Sequence, residues 1–275
     1  MLSLHTNAAS LSTQNSLGTT QRALSNSMTR LGTGFRVNSA MDDAAGLQIA
    51  TRLDAQSRGM AVAQRNTQNG ISMLQTAEGA LSEVSNIMLR MKDLATEAAN
   101  GTSNASDKTA MEAEFNELGN ELTNIMTNTK FGGAALLTGG TLAAAVTFQI
   151  GSDAAETMSF DASAQLTTLN TAITALKAGD LDAAANAAIG LANTAVDAVG
   201  SLRSKLGAGA NRLDHVYNNL ANMRTNADAA KGRIMDVDYA SETANMTSKQ
   251  MLLQASTSML KQSSSMSQMV MSLLQ

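Results

Sequence analysis

The stretch that decides the fold is AVDAVGSLRSKLGAGANRLDHVYNNLANMRTNADAAKGRI, residues 195–234. Apolar or small residues recur in it at alternating steps of four and three, a heptad pattern that predicts an α-helix with one apolar stripe. The residues of that stripe are Ala195, Val199, Leu202, Leu206, Gly209, Leu213, Val216, Leu220, Met223, Ala227, Ala230 and Ile234. The chain has no proline, so we expect one unbroken helix, on the order of 60 Å long. Such a helix needs partner helices of similar length to cover its stripe.

A second heptad pattern lies in the first half of the chain and predicts the partner helix. Its residues are Leu74, Ala77, Leu81, Val84, Met88, Met91, Ala95 and Ala98. The turn NGTSNASDK at 100–108 ends this helix, and we expect Asp107 to cap a third helix that carries Phe115 and Leu122 on its apolar side. These two segments predict a helical hairpin.

The start of the partner helix is marked by a break in the pattern. Gly32 and Gly34 indicate the break, and Ser39 followed three residues later by Asp42 predicts a variant of the capping box. We therefore expect a new helix to begin at Ser39.

Both ends of the chain are apolar at heptad spacing and carry almost no charge. Up to residue 29 the only formal charge is Arg22, and within 246–275 only Lys249 and Lys261 are charged. The first segment shows a change of register near residues 15–18. Such narrow stripes bury little surface within one molecule, so we expect these ends to order only when other copies supply neighbours. The predicted self-assembly seam consists of Leu4, Leu11, Leu24, Leu31, Leu252, Met259, Met266 and Leu273.

The pattern changes between about 134 and 160, where Gly139-Gly140 and Gly151-Ser-Asp are turn signals and short runs such as VTFQI and TMSF lie between them. This predicts a small β-hairpin insert. Gly179 and Asp180 indicate a break before the long helix, and DVDY at 236–239 an interruption after it. Within the long helix, Gly207 and Gly209 predict close approach of a neighbouring element.

Together these patterns predict a mainly α fold, a long antiparallel helical coiled-coil rod with a small β-hairpin insert. We expect residues 1–40 and 235–275 to form a paired inner helical domain. Residues 41–234 are expected to form an outer helical rod domain, with the β-rich insert at about 134–160.

Composition excludes several classes of function. The formal net charge of −4, from 19 basic and 23 acidic side chains, predicts no binding to nucleic acid. No run of about 18 apolar residues predicts a membrane span, and MLSLHTNAAS at the start does not resemble a cleaved signal peptide. With no cysteine and only His5 and His215 as histidines, we expect no catalytic residues, no metal site and no cofactor.

Several motifs resemble the conserved ends of bacterial flagellin. They are SAMDDAAG at 39–46, NTQNGISMLQTAEGAL at 66–81, LGAGANRL at 206–213, GRIMDVDYASE at 232–242 and MSLL at 271–274. The resemblance covers nearly the whole chain. It implies a subunit that self-polymerises into the hollow flagellar filament used for motility, with the two termini in an inner core.

The resemblance also implies partners and a location. The partners are many copies of the same chain, a flagellar export chaperone, the filament cap and hook-junction proteins. The location is extracellular, in the bacterial flagellum, after type III export without a cleaved signal. No variable outer domains follow the β insert, so the chain resembles a minimal flagellin. Where flagellins commonly carry Asn-Gln-x-Pro-Gln, residues 264–268 are Ser-Ser-Met-Ser-Gln.

A toll-like receptor of the host that detects flagellin is a further implied partner. The segment LRMKDLAT at 89–96 resembles the motif that this receptor binds. The matching positions are Arg90, Leu94 and, on the following helix, Glu114. The resemblance therefore implies that the free subunit is detected by this receptor.

Two other functions remain open at this point. A junction protein at the hook shares flagellin-like ends and would differ in stoichiometry. A coiled-coil signalling hairpin, as in chemoreceptors, fits the heptads but explains neither the β insert nor the nearly uncharged ends.

Overall fold

The computed structural model describes residues 7–272, and the side chains of these residues except at 267, 268 and 270–272. Within this range the chain is mainly helical, as predicted. The helices are α1 (Ala8–Thr33), α2 (Ala44–Ala98), α3 (Ala105–Asn128), α4 (Ser163–Lys177), α5 (Leu181–Met235) and α6 (Tyr239–Ser272). Four short strands lie between α3 and α4: β1 (Lys130–Phe131), β2 (Ala134–Ala135), β3 (Val146–Gln149) and β4 (Thr157–Phe160).

The chain forms two compact units. Unit 1 consists of Met1–Ala55 and Asn226–Gln275, and unit 2 of Gln56–Thr225. Helices α2 and α5 contribute residues to both. The inner and outer domains expected from the sequence, with their boundaries near residues 40 and 235, stay a prediction.

The core of unit 2 is built on the two heptad stripes identified from the sequence. Every heptad residue of α2 from Leu74 to Ala98 is at most 1% exposed. On α5 the stripe is buried at Ala195, Val199, Leu202, Leu206 and Leu213. On α2, Leu74 lies near Gly209 of α5, and Glu78, one turn later, forms an ion pair with Arg203. Residue numbers therefore rise along α2 as they fall along α5, so the two helices run antiparallel within unit 2.

The long helix begins earlier than the heptad pattern alone indicated. The break at Gly179 and Asp180 is confirmed, because α4 ends at Lys177 and α5 starts at Leu181. Ala184 has non-helical angles, φ −144° and ψ 40°, so α5 is kinked near its start.

Only one of the two glycines predicted to permit close approach does so. A Cβ on Gly209 would lie 2.6 Å from Cε2 of Phe160 on β4, so this position accepts no side chain without movement of the strand. A Cβ on Gly207 would meet no atom within 4 Å, so this glycine lies on an open side of α5. The prediction was therefore right for Gly209 and wrong for Gly207.

The hairpin of α2 and α3 is confirmed, but the N-cap of α3 is a different residue of the same first turn from the one expected. Asn104, not Asp107, is the N-cap of α3, and its side chain accepts a hydrogen bond from the Asp107 N–H. Asp107 reaches back to the Asn104 N–H and completes a capping box. The sequence pattern indicated the correct turn and the wrong residue within it.

The β-rich insert consists of two antiparallel hairpins and begins slightly earlier than expected. In the first, Gly132 and Gly133 both have positive φ, 58° and 87°, which a two-residue turn between twisted strands requires. In the second, Val146 pairs with Phe160 and Gln149 with Thr157. Met158 and Phe160 on β4 are buried in the core of unit 2, so the hairpin packs on α5.

In unit 1, a short antiparallel contact joins the segments that follow α1 and α5. Phe35 forms a bridge with Asp236, and the Val237 N–H donates to the Gly34 carbonyl at 3.0 Å. The Arg36 N–H donates to the Met235 carbonyl at 2.6 Å. The interruption expected at residues 236–239 is confirmed, and its backbone groups are paired with those of the break after α1.

The start of α2 differs from the expectation. The Asp42 carboxylate accepts hydrogen bonds from the N–H groups of Asn38 and Ser39, at 3.2 and 2.9 Å, and so closes the turn before the helix. The helix itself begins at Ala44, and the Asp43 carboxylate accepts from the Gly46 N–H at 2.8 Å. The capping role predicted for Ser39 with Asp42 was therefore wrong, because the neighbouring aspartate performs it.

Candidate assembly and receptor surfaces

Helices α1 and α6 pair with each other in antiparallel orientation in unit 1. Near the start of α1, the Asn7 side chain donates hydrogen bonds to the carbonyl and the hydroxyl of Ser263, at 3.2 and 3.1 Å. Towards the end of α1, the Lys249 ammonium donates to the buried Ser27 hydroxyl at 2.8 Å. The two ends of the described chain are thus joined to each other by polar contacts as well as by apolar ones.

One side of α6 carries half-buried apolar residues at heptad spacing. They are Met246, Leu253 and Leu260, here called the inner stripe. The buried Ser263 and the half-buried Lys249 lie on the same side and bond to α1. The inner stripe is therefore the side of α6 that packs against α1.

A second apolar row on α6, here called the outer stripe, is exposed. Its members are Met251, Leu252, Met259, Met266 and Met269, and they are 52% to 63% exposed. At about 100° per residue they lie within about 100° of arc, centred away from the inner stripe. Three residues of the predicted seam, Leu252, Met259 and Met266, belong to this row.

The predicted seam residues of α1 do not share one environment. Leu24 is buried and Leu31 half-buried, whereas Leu11 is exposed. The change of register near residues 15–18 leaves α1 as one continuous helix. Leu4 and Leu273 lie outside the described residues.

The sequence reasoning missed the inner stripe. Its residues are themselves seven apart, so the signal was present as a second heptad one position after the seam. Two adjacent stripes cannot both face one partner helix, because consecutive residues point about 100° apart. Counting both stripes would have shown that α6 has more apolar surface than α1 alone can cover.

The contact between α1 and α6 includes a poorly paired buried carboxylate. Glu242 is buried, and its Oε1 atom has no hydrogen-bond partner. Its Oε2 atom lies 3.9 Å from Nη1 of Arg30. The other terminal nitrogen of Arg30, Nη2, lies 3.8 Å from Oδ1 of Asp42. Leaving a buried polar atom unpaired is unfavourable, so this end of the helix pair is not optimised for stability.

The residues expected to bind the receptor lie on α2 and α3 in unit 2. Nε and Nη2 of Arg90 both donate to Oε1 of Glu114, at 2.9 and 2.8 Å. Hydrogen bonding to Glu114 is the main cause that raises the pKa of Arg90, and the attraction of the Glu114 charge is the second. Both side chains are about half exposed. The structure thus brings Arg90 and Glu114 together on an accessible surface.

Leu94 is not part of that surface. It is 2% exposed and belongs to the core of unit 2. Leu89, next to Arg90, is instead an exposed leucine. The sequence motif contained both, and only the burial of each distinguishes a surface residue from a core residue.

The remaining candidates from the sequence add no site to the described part of the chain. His215 is exposed on α5, and His5 lies outside the described residues. Across residues 7–272, no three acidic or histidine side chains are grouped as metal ligands would be. In the same range, every helix is too short or too polar to cross a lipid bilayer.

Comparison with known proteins identifies the class to which the two helical ends belong. Residues 4–141 match the bacterial flagellin N-terminal helical region, and residues 189–274 match the bacterial flagellin C-terminal helical region. Both matches define a structural protein of the bacterial flagellum.

Whole-chain relatives agree with these regional matches. Flagellin A of Vibrio anguillarum is 33% identical over 379 residues, and the match covers 100% of both chains. A flagellin of Halalkalibacterium halodurans is 41% identical over 249 residues and covers 90% of each chain. The chain belongs to the bacterial flagellin family. It is a subunit of the extracellular flagellar filament, and its compact form is that of a minimal flagellin.

A solved structure of a flagellar hook-associated protein from Vibrio parahaemolyticus is also similar. Its TM-score is 0.60 at 19% identity, and the match covers 71% of this chain and 100% of that one. At this identity the likeness concerns the fold alone. It does not favour a hook-junction function over the filament function.

Proposed function

We propose that the outer stripe of α6 is the surface through which the subunit contacts other copies in the filament. In this proposal residues 1–40 and 235–275 form the inner domain of the filament, and residues 41–234 form the outer domain. The observation that carries it is the exposure of five large apolar side chains in one row on a helix whose other side already has a partner. Burying that row in a polymer removes it from water.

The proposal includes ordering of the terminal helices on assembly. The inner stripe has only three large apolar residues, and the contact includes the unpaired Oε1 of Glu242. Such a helix pair opens at a low free-energy cost when it is alone. Contacts made by the outer stripe with other copies then stabilise α6 from its second side.

Seeded elongation tests this proposal. In Met259→Gln, a polar group replaces the thioether at the middle of the outer stripe, and we expect elongation of filament seeds by purified subunits to be lost. The control is Thr257→Gln, two residues away on another exposed side of α6, which should elongate seeds normally. Equal elongation by both variants, seen by electron microscopy, would contradict the proposal.

Export and partners belong to the same proposal. The subunit is exported unfolded by the flagellar type III apparatus, is held by an export chaperone, and polymerises under a cap on the hook-junction proteins. It acts as a structural protein without catalysis or cofactor. Removal of residues 246–275 tests this part, because a subunit without this segment should neither polymerise nor bind an export chaperone.

We also propose that the free subunit is detected by the toll-like flagellin receptor through Arg90 and Glu114. Their accessible ion pair presents a fixed charged surface, and the adjacent Leu89 supplies exposed apolar area beside it. In this arrangement Leu94 acts from the core by holding that face of α2 in place.

A cell reporter assay with purified subunits tests the receptor proposal. Arg90→Ala, Glu114→Ala and Leu89→Ala should each reduce the response while leaving the circular dichroism spectrum unchanged. Leu94→Ala should reduce the response together with thermal stability, because it opens a cavity in the core. No response to the unaltered subunit at saturating dose would overturn the proposal.

A further inference from the structure

The methionines of the described chain fall into two clearly different environments. In unit 2 most are buried, and the fully enclosed ones are Met60, Met88, Met91, Met126 and Met158. In unit 1 most are exposed, and four of them, Met251, Met259, Met266 and Met269, form the outer stripe together with Leu252. Thioethers are therefore concentrated on the surface that the proposed function assigns to contact between subunits.

The composition of the chain makes exposed thioethers, including those of the outer stripe, its most easily oxidised groups. The chain has 18 methionines and no cysteine or tryptophan. No thiol therefore competes for a two-electron oxidant, and exposed thioethers are attacked before buried ones.

We propose that the outer-stripe methionines of α6 are an oxidation-sensitive modification site, at which hydrogen peroxide converts thioethers to sulfoxides and so prevents the subunit from polymerising. The inference rests on the proposed function of the outer stripe. A sulfur lone pair attacks one peroxide oxygen, the O–O bond breaks and an S–O bond forms. The sulfur is oxidised by two electrons, and the second oxygen leaves, after proton transfer, as water.

The effect on assembly follows from what a sulfoxide is. It replaces a flexible apolar thioether by a polar, hydrogen-bond-accepting group. On the free subunit this group stays hydrated, because the outer-stripe side chains are more than half exposed. In a subunit contact it is removed from water, which disfavours association strongly when no donor faces it.

The modification also distinguishes free subunits from assembled ones. In a filament the outer stripe is covered by neighbouring copies in the proposed arrangement, so peroxide reaches it slowly. Oxidation therefore acts on subunits before they are added and leaves existing filaments intact. Because sulfoxides are reduced by the two methionine sulfoxide reductases, the block is reversible.

Peroxide treatment of the purified full chain, followed by peptide mass spectrometry and seeded elongation, tests the inference. We expect one added oxygen at Met251, Met259, Met266 and Met269 and none at Met88 or Met91. Elongation should fall by about tenfold or more, the change in an association constant produced by burying one unpaired polar group. Both reductases together, supplied with a dithiol that is oxidised to its disulfide as each sulfoxide returns to a thioether and water, should restore it.

Two matched variants locate the effect. Replacement of the four outer-stripe methionines by leucine removes the thioethers and keeps apolar side chains, so peroxide should not change whatever elongation rate this variant has before treatment. Met41→Leu removes the most exposed methionine outside α6 and should stay as sensitive as the unaltered chain. Sensitivity lost in Met41→Leu would place the effect elsewhere and overturn the inference.

The other outcomes separate this inference from the proposed function. If the α6 methionines are oxidised and elongation is unchanged, the inference is wrong and the proposed assembly function stands. If the unaltered, untreated chain fails to elongate seeds, the proposed function itself fails. If the chain with its natural sequence loses elongation on peroxide treatment and the reductases do not restore it, the loss is not due to sulfoxides and the inference is overturned.

Discussion

The heptad stripe of α2 and the outer stripe of α6 both contain apolar residues seven apart in the sequence, but one is buried and the other is exposed. Between Leu74 and Ala98 the stripe is enclosed by α3, β4, α4 and α5. From Met251 to Met269 the stripe is more than half exposed, although α6 also packs on α1. The difference teaches that heptad spacing identifies an apolar side of a helix but not the molecule that covers it.

The physical reason is the number of helices available in each unit. Unit 2 supplies several elements around α2, including the buried Phe115 of α3 and Phe160 of β4. Unit 1 supplies α1 as the long partner of α6, and α1 covers one side of it. An apolar stripe left over in one molecule is a surface for association with others.

The largest expected effect contrasts a core leucine with a leucine of the outer stripe. Leu81→Ala removes a fully enclosed side chain, so we expect it to lower the free energy of unfolding by about 2–5 kcal/mol. Leu252→Ala should change it by less than about 0.5 kcal/mol in the free subunit, because the side chain is exposed there. Urea unfolding of both variants measures the difference. Equal losses would show that the outer stripe is covered within one molecule.

A second contrast lies within α5. Gly209→Ala places a methyl group 2.6 Å from Phe160, and the resulting overpacking should lower the free energy of unfolding by about 1–3 kcal/mol. Gly207→Ala meets open space and should raise it by up to about 1 kcal/mol, since alanine favours helix. Thermal unfolding of the pair checks this prediction. Destabilisation by Gly207→Ala would mean that this side of α5 is packed.

A smaller effect is expected at the cap of α3, which stabilises unit 2 without contributing to its apolar core. Asn104→Ala removes the acceptor for the Asp107 N–H and should cost about 0.5–2 kcal/mol. Asp107→Asn keeps a side chain that can still hydrogen-bond to the Asn104 N–H and should cost less. Urea unfolding measures both. A larger loss in Asp107→Asn would make Asp107 the dominant cap, as the sequence first indicated.

The smallest effect concerns the turn before α2 in unit 1 and depends on pH. Hydrogen bonds from the N–H groups of Asn38 and Ser39, and then from the Ser39 hydroxyl, lower the pKa of Asp42 below its ordinary value. A lowered pKa in the folded state means that the ionised carboxylate stabilises the fold. This contribution is complete above the unfolded pKa of about 3.9 and is lost as the pH falls through the lower folded pKa.

Asp42→Asn should therefore destabilise the chain slightly at pH 7, and the difference should shrink as the pH falls below about 4. Thermal unfolding followed by circular dichroism at several pH values measures it. A difference that grows in acid would contradict the role assigned to Asp42.

Much of the fold could be predicted from periodicity alone. The heptads located the buried sides of α2 and α5, and the runs VTFQI and TMSF on either side of Gly151 located the second hairpin, because both signals are local and depend on few residues. The choice between neighbouring capping residues could not be predicted. Asn104 and Asp107, or Asp42 and Asp43, differ only in which backbone N–H each side chain reaches.

The candidate surfaces were predictable in part for a related reason. The spacing of Leu252, Met259 and Met266 predicted an apolar row, but which side of α6 meets α1 depends on tertiary packing. Likewise, the motif at 89–96 does not indicate which of its two leucines, Leu89 or Leu94, is exposed. Their burial depends on the neighbours that α3 and the β hairpins place around α2.

Hydrogen–deuterium exchange of the free subunit and of the filament tests the central claim most directly. The account predicts that α6 amides between Met251 and Met266 exchange much faster than those between Leu74 and Ala98 in the free subunit, and become strongly protected in the filament. Equal protection of both segments in the free subunit, unchanged on assembly, would contradict it.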